Sequence, residues 1–337
     1  MYDAQIETQV RTRRFGRLNW QVSEIGYGMW GIAGGEGGWT GVTEDATRLD
    51  SLFRAVERGC NFFDTAWIYG RGGSEKLLGE LLDQHRGDKL YVATKIPPKN
   101  RDFPSKRGDR IEDIFPAEFC DDYLKRSLDN LGTDCIDLMQ FHVWEDHWAD
   151  HDGWKRMIDD WKSEGLVRGV GLSINRWEPW NCLATLRTGL IDSVQVIYNI
   201  FDQAPEDELF PLCRDLDIAV IARVPFDEGT LTGTLTKDTT WPDGDWRNSY
   251  FVPENLCSSV DHAEALRAVL PDGMSMPEAA LRFILQHPVL STTIPGMRQL
   301  RHVDANLRVS GLPPLSPELM AELRRHRWDR EPTEWSQ

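Results

Sequence analysis

An alternation constrains this chain more than any other feature: short apolar runs rich in β-branched residues are followed, eight times, by longer amphipathic stretches. The strand-like runs are Glu24–Tyr27, Asn61–Asp64, Leu90–Lys95, Ile136–His142, Val167–Leu172, Ser193–Ile197, Ile218–Ala222 and Thr292–Ile294. The helical patterns are Glu44–Arg58, Ser74–Gln84, Pro116–Leu131, Asp152–Glu164, Glu178–Thr188, Glu206–Asp215, the pair His262–Val269 and Pro277–Gln286, and Met297–Leu307. Strand-then-helix repetition predicts parallel strands covered by helices. Eight units fit a closed barrel better than an open sheet. The expected fold is therefore α/β, a single (β/α)8 TIM barrel domain spanning residues 1–337. Ahead of the barrel, Phe15–Leu18 and Val22–Ile25 flank Asn19-Trp20-Gln21 as a hairpin would, placed to plug the bottom. After the seventh strand, Asp227–Ser258 reads as a long irregular loop rich in Gly, Thr, Asp and Trp. Loops of this length in compact domains are usually functional lids; a tolerated surface insertion is the other reading.

A formal net charge of −16 argues against nucleic acid or an anionic membrane as the main partner. It does not argue against a small anionic cofactor, which feels a local pocket rather than the total. The six cysteines stand singly, with no C-x-x-C pair, so neither a metal site nor a disulfide framework is expected. Buried thiols in a reducing compartment are the expectation. The N-terminus has no apolar signal region, and no apolar run approaches the ~20 residues of a membrane span. A cytoplasmic protein is expected.

Two motifs mislead. Gly26-Tyr27-Gly28-Met29-Trp30-Gly31 has the G-x-G-x-x-G spacing of a dinucleotide fingerprint. That motif must open a helix, and the IAGGEGGWTG that follows is too rich in glycine to be one. Tyr91 and Lys95 have the Y-x-x-x-K spacing that places two side chains on one helix face. This segment reads as a strand, where residues four apart lie ~13 Å apart.

Asp64, Lys95 and His142 close the second, third and fourth strands, and Tyr69 lies in the loop after the second. In a barrel all four face one mouth, where active sites form. Singly, each has an ordinary structural role available; their joint placement points to proton chemistry. The segments DTAWIYG, VATK, QFH, GLSIN, VQVIYN, VPFDEGTLTG and IPGMRQLRHVDAN follow in this order. From about Arg14 to Leu307 the chain thereby resembles the aldo-keto reductase family.

The resemblance implies a NADP(H)-dependent oxidoreductase that interconverts a small carbonyl compound and its alcohol. Tyr69 would be the general acid in reduction and the base in oxidation. Lys95 would lower its pKa, Asp64 would hold Lys95, and His142 would orient the carbonyl oxygen. Gly28, Met29 and Trp30 would lie along the nicotinamide ribose and diphosphate, Ser173, Asn175 and Gln195 at the carboxamide, and Arg223 against the nicotinamide ring. Phe226, Asp227, Gly229 and Leu231 would line the diphosphate. Gly296, Arg298, His302 and Asn306 would take the adenosine end. Arg298 favours NADP(H) over NAD(H), because a guanidinium suits a 2′-phosphate. Trp30, Trp67 and Trp144 stand beside strand-end positions, with Trp39 and Trp148 in neighbouring loops. They suit either a polyhydroxylated or aromatic carbonyl, or an apolar wall for small aldehydes. A NADP(H)-binding regulatory or redox-sensing subunit with little turnover would keep the same cofactor residues.

Overall fold

The structure, a computed structural model, describes residues 9–33 and 45–330. Trp39, the glycine-rich run that follows Gly31 from residue 34 onward and the expected helix start at Glu44 lie outside the described residues. The chain opens with an antiparallel hairpin, β1 (Thr12–Phe15) and β2 (Trp20–Ser23). Eight parallel strands follow: β3 (Tyr27–Gly28), β4 (Phe62–Asp64), β5 (Tyr91–Ile96), β6 (Ile136–Phe141), β7 (Val167–Ser173), β8 (Ser193–Ile197), β9 (Ala219–Arg223) and β10 (Leu290–Thr293). They pair in chain order. Parallel bridges Ile25–Thr293 and Gly28–Gly296 join the last strand to the first, closing a (β/α)8 barrel.

The covering helices are α1 (Asp45–Glu57), α2 (Gly73–Gln84), α3 (Ile111–Ile114), α4 (Ala117–Leu131), α5 (Asp152–Ser163), α6 (Leu183–Arg187), α7 (Leu209–Asp215), α8 (Arg247–Tyr250), α9 (Pro253–Arg267), α10 (Met276–Leu285), α11 (Leu300–Arg308) and α12 (Pro317–Arg324). α4 shows why such segments are helical. Its buried Cys120, Tyr123, Leu124, Ser127 and Leu131 recur at helical spacing, and Gly132 ends it in the left-handed region at φ 63°. None of the described helices is long and apolar enough to cross a membrane. The six cysteines are free, and four of them are buried.

Three sequence expectations need correction. The hairpin turns at 16–19, earlier than the Asn19–Gln21 turn expected. The helix expected over Glu178–Thr188 shrinks to Leu183–Arg187, because Asn175 Oδ1 accepts from the Trp177 and Glu178 amides and turns the chain first. The irregular stretch after β9 ends sooner, since α8 and the start of α9 occupy part of it. Tyr250, Phe251, Leu256 and Val260 form a small separate core there with Trp241 and Trp246, so their spacing does not carry the period of a barrel helix.

Period-two alternation sends one row of each strand into the barrel. The lower layer is apolar: Phe62, Tyr91, Ala93, Leu138, Ala219 and Ile221 pack with Phe15, Val22, Leu18 and Trp20 of the hairpin. The hairpin is therefore the plug of the bottom. Gly171 on β7 must lack a side chain. A Cβ there would stand 2.3 Å from Ser193 Oγ and 3.1 Å from Gln140 Cγ.

Candidate active site

The inward rows end in polar side chains at the upper mouth. Below the mouth, Tyr91 and Ala93 precede Lys95, Leu138 precedes Gln140, Phe62 precedes Asp64, and Ile221 precedes Arg223. Lys95 has no exposed side-chain surface and Asp64 has 3 %. Lys95 Nζ donates to Asp64 Oδ1 at 2.6 Å and to the Thr65 carbonyl at 2.7 Å. The other carboxylate oxygen of Asp64 accepts from Gln195 Nε2 at 2.7 Å and from Gln140 Nε2 at 3.1 Å. A buried ion pair persists only when its remaining hydrogen-bonding capacity is met, and these two carboxamides meet it. Gln140 was missed from the sequence. Its signal was its place two residues before His142, at the same parity in the strand-like run Ile136–His142.

Tyr69 is half-buried, and the Lys95 ammonium lies 5.2 Å from its ring centroid. The His142 ring stands edge-on to Tyr69 with centroids 5.9 Å apart, and Phe103 meets His142 at 5.0 Å from another side. The four expected catalytic side chains thus converge. Burial pushes the Tyr69 phenol above its ordinary value; Lys95 pulls it down, Asp64 pushes it up and Arg223 pulls it down. Lys95 lowers the value in the expected direction, but the net direction is upward, because desolvation of the phenolate outweighs the cation. His142 lies well below the ordinary histidine range, because it is buried and faces the cations Lys95, Arg223 and Arg101. It is neutral, and its buried Nδ1 has no partner among the described residues.

The expected cofactor positions fall around this floor. Gly28 closes the barrel against Gly296. Met29 is wholly buried in the core. The Trp30 ring stands 6.5 Å from that of Tyr69 and 5.1 Å from that of Trp246. Ser173 ends β7 and is buried. The Gln195 amide nitrogen is committed to Asp64, so its oxygen is what remains to bind a ligand. Asn175 uses its oxygen to turn the local chain. Arg223 donates to the Ile174 carbonyl at 3.0 Å, and burial lowers its pKa. Phe226 is half-buried, and Leu231 has no exposed surface. The Asp227 side chain is not a ligand-facing group, because it is buried in ion pairs with Arg176 and Arg330. Arg298 is half-buried near Arg247, His302 is exposed and Asn306 is buried.

Among the tryptophans expected at substrate, Trp144 is displaced. It is 1 % exposed, packs on Phe141, Trp148 and Trp154, and donates its indole N–H to Thr185 at 2.9 Å. β6 ends at Phe141, so the alternation that would have turned Trp144 inward stops before it. Trp148 is buried too, donating to the Asp109 carbonyl. Trp67 packs on Tyr123 and under the guanidinium groups of Arg101 and Arg126.

The aldo/keto reductase family model matches residues 24–327. A protein of Escherichia coli named NADH-specific methylglyoxal reductase is 30 % identical over 296 residues, 85 % of this chain and 89 % of that one. An aldo-keto reductase of Schizosaccharomyces pombe, whose name specifies NADP(+), is 25 % identical over 316 residues, 88 % of this chain and 86 % of that one. The holo structure of aldo-keto reductase AKR11C1 from Bacillus halodurans superposes with a TM-score of 0.74 at 25 % identity, covering 97 % of this chain and 99 % of that one. The chain belongs to the aldo/keto reductase family, whose members are NAD(P)-dependent oxidoreductases.

Proposed function

We propose that this chain is a NADP(H)-dependent oxidoreductase that reduces an aldehyde or ketone to its alcohol and runs the reverse reaction, with Tyr69 as general acid and base. The observation that carries this reading is the enclosed Lys95–Asp64 pair, braced by Gln140 and Gln195, with its ammonium 5.2 Å from the Tyr69 ring. A structural ion pair needs no phenol and no neutral histidine beside it.

The residues present fit a nicotinamide dinucleotide. Gly229 and Gly296 offer bare backbone beside open space, since a Cβ at either would meet nothing within 4 Å. Ser173 and the Gln195 oxygen suit a carboxamide, and Arg298 suits a 2′-phosphate. When bound, the nicotinamide supplies or accepts the hydride. The chain handles the proton. Tyr69 stays protonated at neutral pH, because burial lifts its pKa, and so holds a proton for a carbonyl oxygen. Lys95 steadies the phenolate left behind, and Asp64 fixes the position of Lys95. Neutral His142 aims a polar edge at the same oxygen without adding a charge. Positioned proton transfer of this kind contributes ~10²–10⁴-fold.

The substrate is a small carbonyl compound, aromatic or polyhydroxylated, meeting Trp30 at the rim, with Trp67 nearby. The test is Tyr69→Phe, followed by loss of near-ultraviolet absorbance of NADPH with 4-nitrobenzaldehyde. Reduction is expected to vanish while NADPH still quenches tryptophan emission. Retained turnover would remove Tyr69 from the chemistry. Tight NADPH binding by the unaltered protein without turnover of any carbonyl would favour a sensing subunit.

A further inference from the structure

The segment after β9 holds a backbone that its sequence does not favour. Val224, Asp227 and Glu228 have φ of 54°, 46° and 55°, and Gly229 has 115°. Non-glycine residues in the left-handed region, a β-branched valine above all, persist only where their surroundings over-determine them. The source of that constraint is remote in sequence. Asp227, with no exposed side-chain surface, accepts from Arg176 at 3.0 Å and from both terminal nitrogens of Arg330 at 2.8 and 3.3 Å. Asp202 accepts from Arg330 at 2.9 Å and lies 3.5 Å from Arg176. Two guanidinium groups and two carboxylates balance one another almost out of contact with water; the arginine side chains are 1 % and 7 % exposed.

Burial alone would raise the Asp227 carboxyl, and Arg330 and Arg176 override it, so the group titrates below its ordinary value and remains charged. Neighbouring contacts fix the same segment. Asn199 Nδ2 donates to Asp202 at 2.9 Å and to the Val224 carbonyl at 3.1 Å. Arg330 is itself anchored: its guanidinium lies 4.4 Å from the Trp328 ring centroid. Trp328 stacks on His262 at 3.8 Å and donates its amide to the Phe201 carbonyl at 2.9 Å.

We propose that Arg330 is a positioning residue for the cofactor: from beyond α12, it locks the backbone of residues 224–229 in the conformation that receives the dinucleotide diphosphate. The proposal rests on the oxidoreductase reading above. Without Arg330, two buried carboxylates share one guanidinium beneath the segment. The left-handed backbone then loses part of what enforces it, and a smaller fraction of molecules is ready to bind. Apparent affinity falls in proportion to that fraction.

The experiment compares the full chain with Arg330→Gln and Arg330→Lys. Hydrogen exchange of the 224–233 amides is measured without cofactor, and NADPH binding is measured by quenching of tryptophan emission. Arg330→Gln is expected to speed exchange in that segment while leaving the barrel strands protected. It is expected to weaken NADPH binding roughly tenfold if about a tenth of molecules stay competent, with kcat at saturating NADPH little changed. Arg330→Lys keeps the charge but loses the two-pronged grip, and should fall between. If Arg330→Gln does not fold, Asp202→Asn is expected to give the same changes in weaker form. Unchanged exchange and unchanged affinity in a folded variant overturn the proposal. So does faster exchange across the whole barrel with affinity and kcat falling together, which marks a merely structural role. An unaltered protein that binds neither NADPH nor NADH overturns the oxidoreductase reading and, with it, the role toward cofactor. Binding by the unaltered protein with equal binding by Arg330→Gln overturns this proposal alone.

Discussion

The two ends of the barrel interior obey the same geometry and differ in chemistry. Along β5 the inward row runs Tyr91, Ala93, Lys95; along β9 it runs Ala219, Ile221, Arg223. The lower members meet the hairpin, where Trp20 stacks on Phe15 at 5.4 Å and on Tyr91 at 5.1 Å. The upper members meet one another, through Lys95, Asp64, Gln140 and Gln195. The plug below is apolar, so the polar groups above find no partners beneath them and must satisfy each other. A low local dielectric strengthens those bonds and makes any unpaired member costly. One end provides the stability that lets the other hold a charge pair out of water.

The sharpest break of this comparison sets two substitutions of similar stability cost against each other. Phe15→Ala empties part of the plug and is expected to cost about 3–5 kcal/mol. Lys95→Met leaves the buried Asp64 carboxylate unpaired, also at about 3–5 kcal/mol. Urea unfolding should place the two together, and turnover should separate them. Below its unfolding range Phe15→Ala should keep its kcat/KM, whereas Lys95→Met should lose at least ~10²-fold. A Phe15→Ala protein that folds but does not turn over would erase the distinction between the ends.

A smaller effect lies at the edge of the mouth. Burial and the neighbouring Arg247 cation lower the Arg298 pKa. A bound phosphate would relieve both. Arg298→Gln is expected to weaken NADPH by about 1.5–3 kcal/mol, roughly 10–150-fold, and to leave NADH unchanged. Equal losses for both nucleotides in titrations would detach Arg298 from the 2′-phosphate and weaken the choice of NADP(H).

The contrast between the ends also explains what the sequence reveals. Asp64, Lys95 and His142 were legible because a strand end in a barrel has one destination. Gln140 was equally legible by its alternation with His142 and was passed over because a carboxamide does not titrate. Trp144 was misread by extending that alternation past Phe141, where the strand stops. The Arg176–Asp202–Asp227–Arg330 cluster left no trace in the sequence. Its ion pairs span 26 to 128 positions, beyond any local period. α8 and the first half of α9 were hidden for a related reason: Tyr250, Phe251, Leu256 and Val260 face a satellite core rather than the barrel.

The subtlest expected effect displaces the pH profile without abolishing activity. Arg223 ends the inward row of β9 and bears on both titrating partners of the mouth, pulling the Tyr69 phenol down and holding His142 down. Alcohol oxidation needs the phenolate, whose fraction rises about tenfold per pH unit below the phenol pKa. Oxidation should therefore climb with pH, while reduction, which needs the phenol, stays level and declines only when Tyr69 ionises. Replacing the guanidinium in Arg223→Met removes one influence that lowers Tyr69, so its pKa rises and the climb in oxidation moves to higher pH. The same change removes a cation that repels the imidazolium, so the His142 pKa rises and the acidic limb moves to higher pH as well. Arg223→Lys restores a charge and should return both limbs toward their original places. Rates at saturating cofactor and substrate in both directions would show it. Movement of one limb alone would tie Arg223 to one partner, and no movement of either would mean that its charge is spent on Glu228 before it reaches the mouth.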